Sequence, residues 1–287
     1  MQPLNVLSLF DGMSCGQIAL GKANIPVDTY FASEIDKHAI KVTQSNYPGT
    51  KQLGCVTGVT TASVGKRVDV LMAGSPCQGF SMLGDGLNFH DPRSKLYFDF
   101  LRIKEELEPK YWLLENVRMQ QSWQDVITGH LGVEPIFINS SLVSAQSRPR
   151  LYWTNIPNVT QPEDAYWYCE DVIDKTNQTP NSPGWQDWWQ RNKEVRLKKQ
   201  YSGIMNDREK AICCIANHRR NWDGNLVRLE SGLLRFADRY ELEELQTVPF
   251  GYTDCVSIAQ AYKLLGNGWT VDVIAHILKN ISTPRLT

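Results

Sequence analysis

The chain has 287 residues, of which 42% are hydrophobic and 21% charged, and its formal net charge is −1. These values are those of an ordinary globular protein, long enough for one large domain and a smaller insert. No apolar run approaches the roughly 20 residues of a membrane span, so we expect no membrane partner. The near-neutral charge neither favours nor excludes nucleic acid.

The first half of the chain alternates apolar runs typical of buried strands with runs of helical periodicity. This alternation predicts an α/β fold with a doubly wound, mostly parallel sheet, in which ligands bind beyond the carboxyl ends of the strands. Strands are expected at 5–10, 29–32, 68–73 and 111–114, and helices after the turn at 11–16, at 36–44 and at 95–107.

The pattern changes after Pro157, where the apolar alternation fades and tryptophans cluster between Trp167 and Trp189. Aromatic residues at this density need burial or a ligand, so we interpret 157–259 as a small second domain. An apolar helical face returns at 271–281, which assigns 1–156 and 260–287 to the larger domain.

Positive charge concentrates between Trp188 and Trp222, a segment with nine Lys/Arg against three Asp/Glu. Such an excess suits the phosphates of a nucleic acid. A solvated helix face is the alternative, and the segment alone favours that alternative.

The turn at 10–16 joins the first strand to a helix, a place where backbone N–H groups meet a ligand. It contains Asp11 and lacks the G-x-G-x-x-G pattern of dinucleotide sites. An acid there suits the α-ammonium of S-adenosylmethionine better than a pyrophosphate. Glu34, at the end of the second strand, is placed to accept ribose hydroxyls. These residues favour S-adenosylmethionine, and a nicotinamide cofactor stays as the alternative.

Three short motifs follow strand ends in a fixed order. They are Ser75-Pro76-Cys77-Gln78, Glu115-Asn116-Val117 and Gln146-Ser147-Arg148-Pro149-Arg150. A thiolate can attack an electron-poor ring carbon, an acid can hold a ring nitrogen, and arginines can bind a carbonyl oxygen. A lone cysteine is usually a small buried residue, but the ordered set of three motifs favours catalysis.

In these motifs the chain resembles the DNA cytosine-5 methyltransferases that use S-adenosylmethionine, over 5–157 and about 242–281. Phe10-Asp11-Gly12 has the form found in the vertebrate de novo branch, and small bacterial and phage enzymes are also similar. The resemblance implies that Cys77 adds to cytosine C6, that Glu115 acts on N3 and that Arg150 stabilises charge on O2. It also implies that Arg148 orients Glu115 or a phosphate, and that Asn116 fixes the exocyclic amine or the Cys77 loop.

The resemblance also implies a set of cofactor-binding residues. Phe10 would pack on the adenine, Glu34 would hold the ribose, Leu96 would line the adenine pocket, and Gly268-Trp269 would belong to the closing motif. The remaining members of the expected cofactor site are Asp11, Gly12, Ser14, Ser75, Pro76 and Asn267.

One position departs from the family pattern. Where the family usually has an acid that bonds the adenine amino group, this chain has Gly54-Cys55-Val56. A neutral thiol is a poor acceptor. Either the pocket lacks one hydrogen bond, or another group, such as Asp69 or a backbone carbonyl, supplies it.

The expected partner is double-stranded DNA, from which the target base must be flipped. The 80–93 segment is predicted to be the loop that closes over the base, and the second domain is predicted to read the flanking sequence. Alternatives are a tRNA cytosine methyltransferase of the same fold, and a catalytically silent DNA-binding relative.

The seven cysteines are an odd number without a C-x-x-C pair, and Cys213 and Cys214 are poorly placed for metal binding. We therefore expect a reducing compartment and neither disulfides nor a metal site. The N-terminal residues do not form a signal peptide. Since no regulatory domain flanks the catalytic region, we expect a cytoplasmic enzyme of restriction-modification or phage origin.

Overall fold

The structure is a computed structural model that describes residues 1–75, 95–219 and 223–282. The strands are β1 (Leu4–Leu9), β2 (Val27–Ser33), β3 (Lys51–Gln52), β4 (Val70–Gly74), β5 (Tyr111–Val117), β6 (Ile136–Asn139), β7 (Pro149–Thr154), β8 (Ser202–Ile204), β9 (Gly224–Arg228) and β10 (Leu234–Phe236). The helices are α1 (Cys15–Lys22), α2 (Lys37–Asn46), α3 (Thr61–Val64), α4 (Lys95–Leu107), α5 (Gln121–Leu131), α6 (Cys169–Val172), α7 (Pro183–Lys198), α8 (Arg239–Leu245), α9 (Ile258–Asn267) and α10 (Val271–Leu278).

The main sheet has seven strands in the order β3-β2-β1-β4-β5-β7-β6. The pairs from β3 to β5 are parallel, and β7 runs antiparallel to β5. The predicted mostly parallel α/β sheet is thus confirmed. The order reverses between β1 and β4, and in such sheets a crevice for a ligand opens at this point, beyond the strand ends.

Hydrophobic residues of the central strands form the core beside this crevice. Leu7, Leu71 and Leu114 have no exposed surface, and they pack with Phe100 of α4 and Trp153 of β7. Near-continuous apolar strands of this kind are expected when both faces of a parallel sheet are covered.

The predicted elements differ from the observed ones mainly at their ends. The first strand ends at Leu9, because Phe10 has a φ of 55°, which lies outside the β region. Asp36 caps α2 instead of starting it, since its side chain accepts the His38 N–H. The helix predicted at 95–107 has the observed bounds of α4.

The chain divides into two compact units. The first, here called the sheet unit, takes the described parts of Met1–Ile138, Pro149–Gln161 and Val273–Thr287. The second unit takes Asn139–Arg148 and the described parts of Pro162–Asp272. These bounds differ from those predicted for the domains, since residues 139–148 and 260–272 fall within the second unit and residues 157–161 within the sheet unit.

The second unit contains a three-stranded sheet in the order β10-β9-β8, against which α7 packs. Trp185 and Trp189 of α7 are buried, and their rings stack 5.6 Å apart. The clustered tryptophans were predicted to be buried or to bind a ligand. Trp185 and Trp189 are buried, whereas Trp167 is 45% exposed.

A buried ion pair also holds the second unit together. The Arg235 guanidinium donates to both carboxylate oxygens of Glu241 at 2.7 Å, and both side chains are almost fully buried. Both charged groups have further backbone partners, so the pair is fully hydrogen-bonded.

Candidate active site and cofactor pocket

A carboxylate and a guanidinium meet where β5 and β7 lie side by side in the sheet unit. Glu115 Oε1 lies 3.0 Å from Arg150 Nε, and about one tenth of each side chain is exposed. The antiparallel ladder pairs Val117 with Arg150 and Glu115 with Tyr152. Glu115 and Arg150 are therefore diagonal neighbours on one face, within reach of long side chains.

Asn116 points to the other face of β5 and is buried. Its Nδ2 donates to Ser75 Oγ at 2.9 Å, and its Oδ1 accepts the Val117 N–H at 2.8 Å. Ser75 follows β4 directly and is itself buried. This bond fixes the end of β4, the strand that leads toward Cys77. Cys77, its neighbour Pro76 and the predicted closing loop at 80–93 lie outside the described residues.

Arg148 lies in the second unit and bonds backbone carbonyls there. Its guanidinium donates to Cys214 O at 2.7 Å, Gly266 O at 3.1 Å and Gly268 O at 2.8 Å. These bonds hold the segment between α9 and α10 that contains Asn267, Gly268 and Trp269. The predicted role of Arg148 toward Glu115 or a phosphate stays a prediction.

Two glutamines complete the network around Arg148. Gln146 Nε2 donates to Gln246 Oε1 at 2.9 Å, and Gln246 Nε2 donates to Leu265 O at 2.6 Å. At Gly266 a Cβ would lie 2.1 Å from the backbone of Ile215 and Ala216, so only glycine fits there. The Gln-x-Arg-x-Arg motif thus contributes to two places, with Arg150 in one and Gln146 and Arg148 in the other. Gln246 was not expected from the sequence to belong to this network.

The turn after β1 carries the predicted cofactor residues. Gly12 has a φ of +59°, and its N–H donates to Glu34 Oε2 at 2.8 Å. Glu34 Oε1 accepts the N–H groups of Ile35 at 2.7 Å and Asp36 at 2.8 Å. Three backbone bonds therefore orient the Glu34 carboxylate, and a carboxylate with about four lone-pair sites keeps capacity for a further donor.

Asp11 is buried beside this turn. Its carboxylate accepts the Tyr30 hydroxyl at 2.7 Å and also the Ser14 hydroxyl. Burial raises the pKa of Asp11 to about 6, an effect that the Ser14 and Tyr30 hydrogen bonds oppose and the nearby Glu34 charge reinforces. A buried acid with hydroxyl partners can hold a cationic group. The expected contact of Asp11 with an α-ammonium group stays a prediction, and the Tyr30 partner was not anticipated.

The other residues expected near the adenine are hydrophobic or small. Phe10 and Leu96 are half-buried and pack against the core of the sheet unit. Cys55 is exposed, and its Sγ lies 3.2 Å from Thr57 Oγ1, a hydrogen bond that lowers the pKa of the thiol. Asp69 precedes β4 at the amino end and accepts the Asn5 N–H at 2.9 Å, which disfavours it as the alternative adenine partner.

The positive charges between Trp188 and Trp222 have different surroundings. Arg196 forms an ion pair with Asp223 at 2.9 Å, and Lys210 donates to Trp167 O at 2.5 Å, so both cations have partners within the protein. Exposed cations along and just after α7 are Arg191, Lys193, Lys198 and Lys199. None of these four forms an ion pair with a carboxylate of the described residues. Arg220 lies outside those residues.

Two structural features are absent from the described part of the chain. It contains no group of three or more His, Cys, Asp or Glu residues arranged to hold a metal ion. Nor does any helix within it have the length and apolar character needed to cross a membrane.

Comparison with known proteins gives matches in sequence and in fold. A family model for the C-5 cytosine-specific DNA methylases matches residues 4–125. The Type II methyltransferase M.NlaX of Neisseria lactamica is 28% identical over 96% of this chain and 95% of its own length. The Type II methyltransferase M.Eco47II of Escherichia coli is 41% identical, but the match spans 39% of this chain and 27% of that protein.

Solved structures share the fold over nearly the whole chain. The Dnmt2 methyltransferase of S. pombe has a TM-score of 0.73 at 19% identity and covers 97% of this chain and 98% of its own. The methyltransferase EhMeth of Entamoeba histolytica has a TM-score of 0.76 at 17% identity, with 98% of each chain covered. At these identities the likeness concerns the fold alone.

Proposed function

We propose that the chain methylates C5 of cytosine in duplex DNA through a covalent bond from Cys77, as its likeness to the C-5 cytosine-specific DNA methylase family suggests. The observation that carries the proposal is the Glu115–Arg150 pair. Attack on a pyrimidine ring needs an acid at a ring nitrogen and a cation near the carbonyl oxygen. Gly74 pairs with Glu115 in the sheet, so the chain that continues to Cys77 starts beside this acid.

The family implies S-adenosylmethionine as the methyl donor, and bound S-adenosylmethionine supplies an electrophilic methyl group on its sulfonium. The described residues fit this cofactor by their chemistry. Glu34 offers an oriented carboxylate for ribose hydroxyls, and Asp11 offers a buried carboxylate for an ammonium group. Phe10 and Leu96 supply apolar surface for the adenine.

Cytosine C5 is a weak nucleophile, and in the proposed mechanism a covalent bond at C6 activates it. The Cys77 thiolate bonds to C6 while Glu115 supplies a proton to N3, which turns the ring into an enamine. C5 then takes the methyl group, and the electron pair of the broken S–C bond stays on the sulfur, which leaves as a neutral thioether. Loss of the C5 proton to solvent expels the Cys77 thiolate, N3 returns its proton to Glu115, and the product is 5-methylcytosine.

The two arginines have separate proposed roles. Arg150 contacts Glu115 through Nε, and its guanidinium is proposed both to orient Glu115 and to stabilise charge on O2 of the cytosine. Arg148 holds the Gly266–Gly268 backbone, and a direct contact with the base is not needed for that role. Asn116 holds the end of β4 through Ser75, which favours a role toward the Cys77 loop over one toward the exocyclic amine.

The second unit is proposed to recognise the flanking DNA while the target base is flipped out of the duplex. Arg191, Lys193, Lys198 and Lys199 are exposed, and none pairs with a carboxylate of the described residues, so they are proposed to supply positive charge for phosphates. A solvated helix face would have the same exposure. The salt dependence of DNA binding distinguishes a phosphate-binding surface from a solvated helix face. The test variant replaces Lys193, Lys198 and Lys199 with Gln, and the matched control replaces the exposed Lys22, Lys41 and Lys51 with Gln.

Methyl transfer from tritiated S-adenosylmethionine tests the proposed substrate. Duplex DNA and tRNA are offered in parallel to the wild-type protein and to Cys77→Ala, and we expect label in duplex DNA with the wild type alone. Label in tRNA only would contradict the DNA assignment. Cofactor and DNA binding without transfer to either substrate would indicate a silent relative. Bisulfite sequencing of DNA from expressing cells then gives the target sequence.

A further inference from the structure

A hydroxyl network surrounds the Asp11 carboxylate inside the sheet unit. The Tyr30 hydroxyl donates to Oδ1 at 2.7 Å, and the Ser14 hydroxyl donates to Oδ2. Thr43 of α2 donates in turn to Ser14 Oγ at 3.1 Å. Asp11, Ser14 and Thr43 are buried, and Tyr30 is 4% exposed, so these bonds form in a site of low dielectric.

The network fixes a turn with an uncommon backbone. Phe10, Gly12 and Ser14 have φ values of 55°, 59° and 62°, and two of the three are not glycine. Such conformations cost of order 1–3 kcal/mol each outside glycine, and they persist where surrounding contacts hold them. Tyr30, from the neighbouring strand β2, ties this turn to the sheet through Asp11.

From this geometry we propose that Tyr30 is a positioning residue, which holds the Asp11 carboxylate toward the α-ammonium group of bound S-adenosylmethionine. This inference rests on the proposed function, because it takes S-adenosylmethionine as the ligand of the turn. The Tyr30 hydroxyl is neutral and cannot compensate the positive charge of the ligand. It acts through Asp11, by orienting the carboxylate and by favouring its ionised form.

Cofactor affinity should therefore depend on the ionisation of Asp11. A cationic ligand favours the charged carboxylate, so affinity is highest above the pKa of Asp11, about 6, and falls as the pH drops below it. Among the described residues, Glu34 is the charged side chain that acts on Asp11, and it opposes ionisation. Burial raises the pKa of Asp11, and the Tyr30 hydrogen bond lowers it. Removal of this hydrogen bond should therefore raise the pKa and move the midpoint of the affinity profile to higher pH.

Calorimetric titration between pH 5 and about 7 tests this inference, since the α-ammonium of the ligand, with a pKa of about 7.7–8.0, stays mostly protonated there. The proteins are the wild type, Tyr30→Phe and a control, Tyr111→Phe, whose hydroxyl donates to a backbone carbonyl. We expect wild-type affinity to fall by up to about tenfold per pH unit below the midpoint. Tyr30→Phe should bind several-fold more weakly at pH 6.5, and Tyr111→Phe should follow the wild type.

Two additional arms keep the outcomes distinct. The ligand 5′-methylthioadenosine lacks the amino-acid group, so its affinity should not follow this pH profile. Asp11→Asn should flatten the pH profile for S-adenosylmethionine, and this test remains available even if Tyr30→Phe fails to fold. Identical profiles for wild type and Tyr30→Phe would overturn the inference, as would an unchanged profile in Asp11→Asn. Failure of the wild type to bind S-adenosylmethionine at any pH would overturn the proposed function as well.

Discussion

Glu115 and Arg150 are 35 positions apart in the sequence, yet Oε1 of one lies 3.0 Å from Nε of the other across two antiparallel strands. The pair exists because β7 runs against β5 with Arg150 opposite Val117. A slip of one residue in this register would turn Arg150 to the opposite face of the sheet. The strand that runs antiparallel to β5 in this mostly parallel sheet thus brings acid and cation together.

The first prediction concerns Glu115 as the proton donor to N3. Glu115→Gln keeps the size of the side chain and removes the transferable proton, so we expect turnover to fall by about 10²–10⁴-fold. Binding of S-adenosylmethionine and DNA should remain. Single-turnover methylation and calorimetry on the same preparation measure both, with the exposed Glu134→Gln as control. Turnover within a few fold of wild type would show that Glu115 is not the donor.

The second prediction is that the Asp11 carboxylate lowers the stability of the fold while it favours binding of S-adenosylmethionine. Its pKa is raised from 3.8 to about 6 in the folded protein, so ionisation destabilises the fold above pH 6, and this cost fades as the pH falls toward 3.8. Asp11→Asn should therefore raise the free energy of unfolding at pH 7.5 by up to about 3 kcal/mol. Little difference should remain near pH 4.

Denaturant unfolding at the two pH values measures this change in Asp11→Asn. The same variant should bind S-adenosylmethionine more weakly at pH 7.5, since it lacks the carboxylate. A variant that is less stable than wild type at pH 7.5 would mean that the hydrogen bonds to Tyr30 and Ser14 outweigh the desolvation of the charge.

The third prediction concerns the departure at Cys55. Cys55→Asp would supply an acceptor for the adenine amino group, worth about 0.5–1.5 kcal/mol, so affinity for S-adenosylmethionine should rise several-fold without a change in the chemical step. Because Cys55 is exposed, the new carboxylate carries little desolvation cost. Calorimetry of both proteins decides the point. Weaker binding by the aspartate variant would exclude this position as the adenine contact.

The fourth prediction tests the buried ion pair of the second unit. Arg235→Met leaves Glu241 charged and buried without its partner, so we expect a loss of about 3–5 kcal/mol. Arg228→Met is the matched control, because the Arg228–Asp207 pair is more than 40% exposed on both sides and should contribute at most about 1 kcal/mol. Equal losses in chemical denaturation would contradict the assignment of the Arg235–Glu241 pair as a core contact.

The sequence predicted the central strands because their apolar runs are long and their ends carry polar motifs. It did not predict that 149–154 forms a strand, because PRLYWT mixes apolar and charged residues. The pairing of Glu115 with Arg150 depends on that strand and was therefore not foreseen. The motif order alone nevertheless selected both residues.

Contacts between distant polar residues were the least predictable part of the site. Tyr30 and Gln246 look like an ordinary strand tyrosine and an ordinary helix-end glutamine. Their partners, Asp11 and Gln146, are 19 and 100 positions away. Local patterns carry no signal for hydrogen bonds at such separations, which are set by the packing of the elements. The split of the Gln-x-Arg-x-Arg motif between two places has the same origin.

Covalent trapping tests the central claim most directly. Duplex DNA in which 5-fluorocytosine replaces cytosine throughout needs no knowledge of the target sequence, and fluorine at C5 blocks the elimination that releases the thiolate. With S-adenosylmethionine present, we expect an adduct that survives denaturation in the wild type, with its bond on the Cys77 peptide by mass spectrometry, and no adduct with Cys77→Ser. An equal yield with Cys77→Ser, or attachment at another residue, would contradict the account.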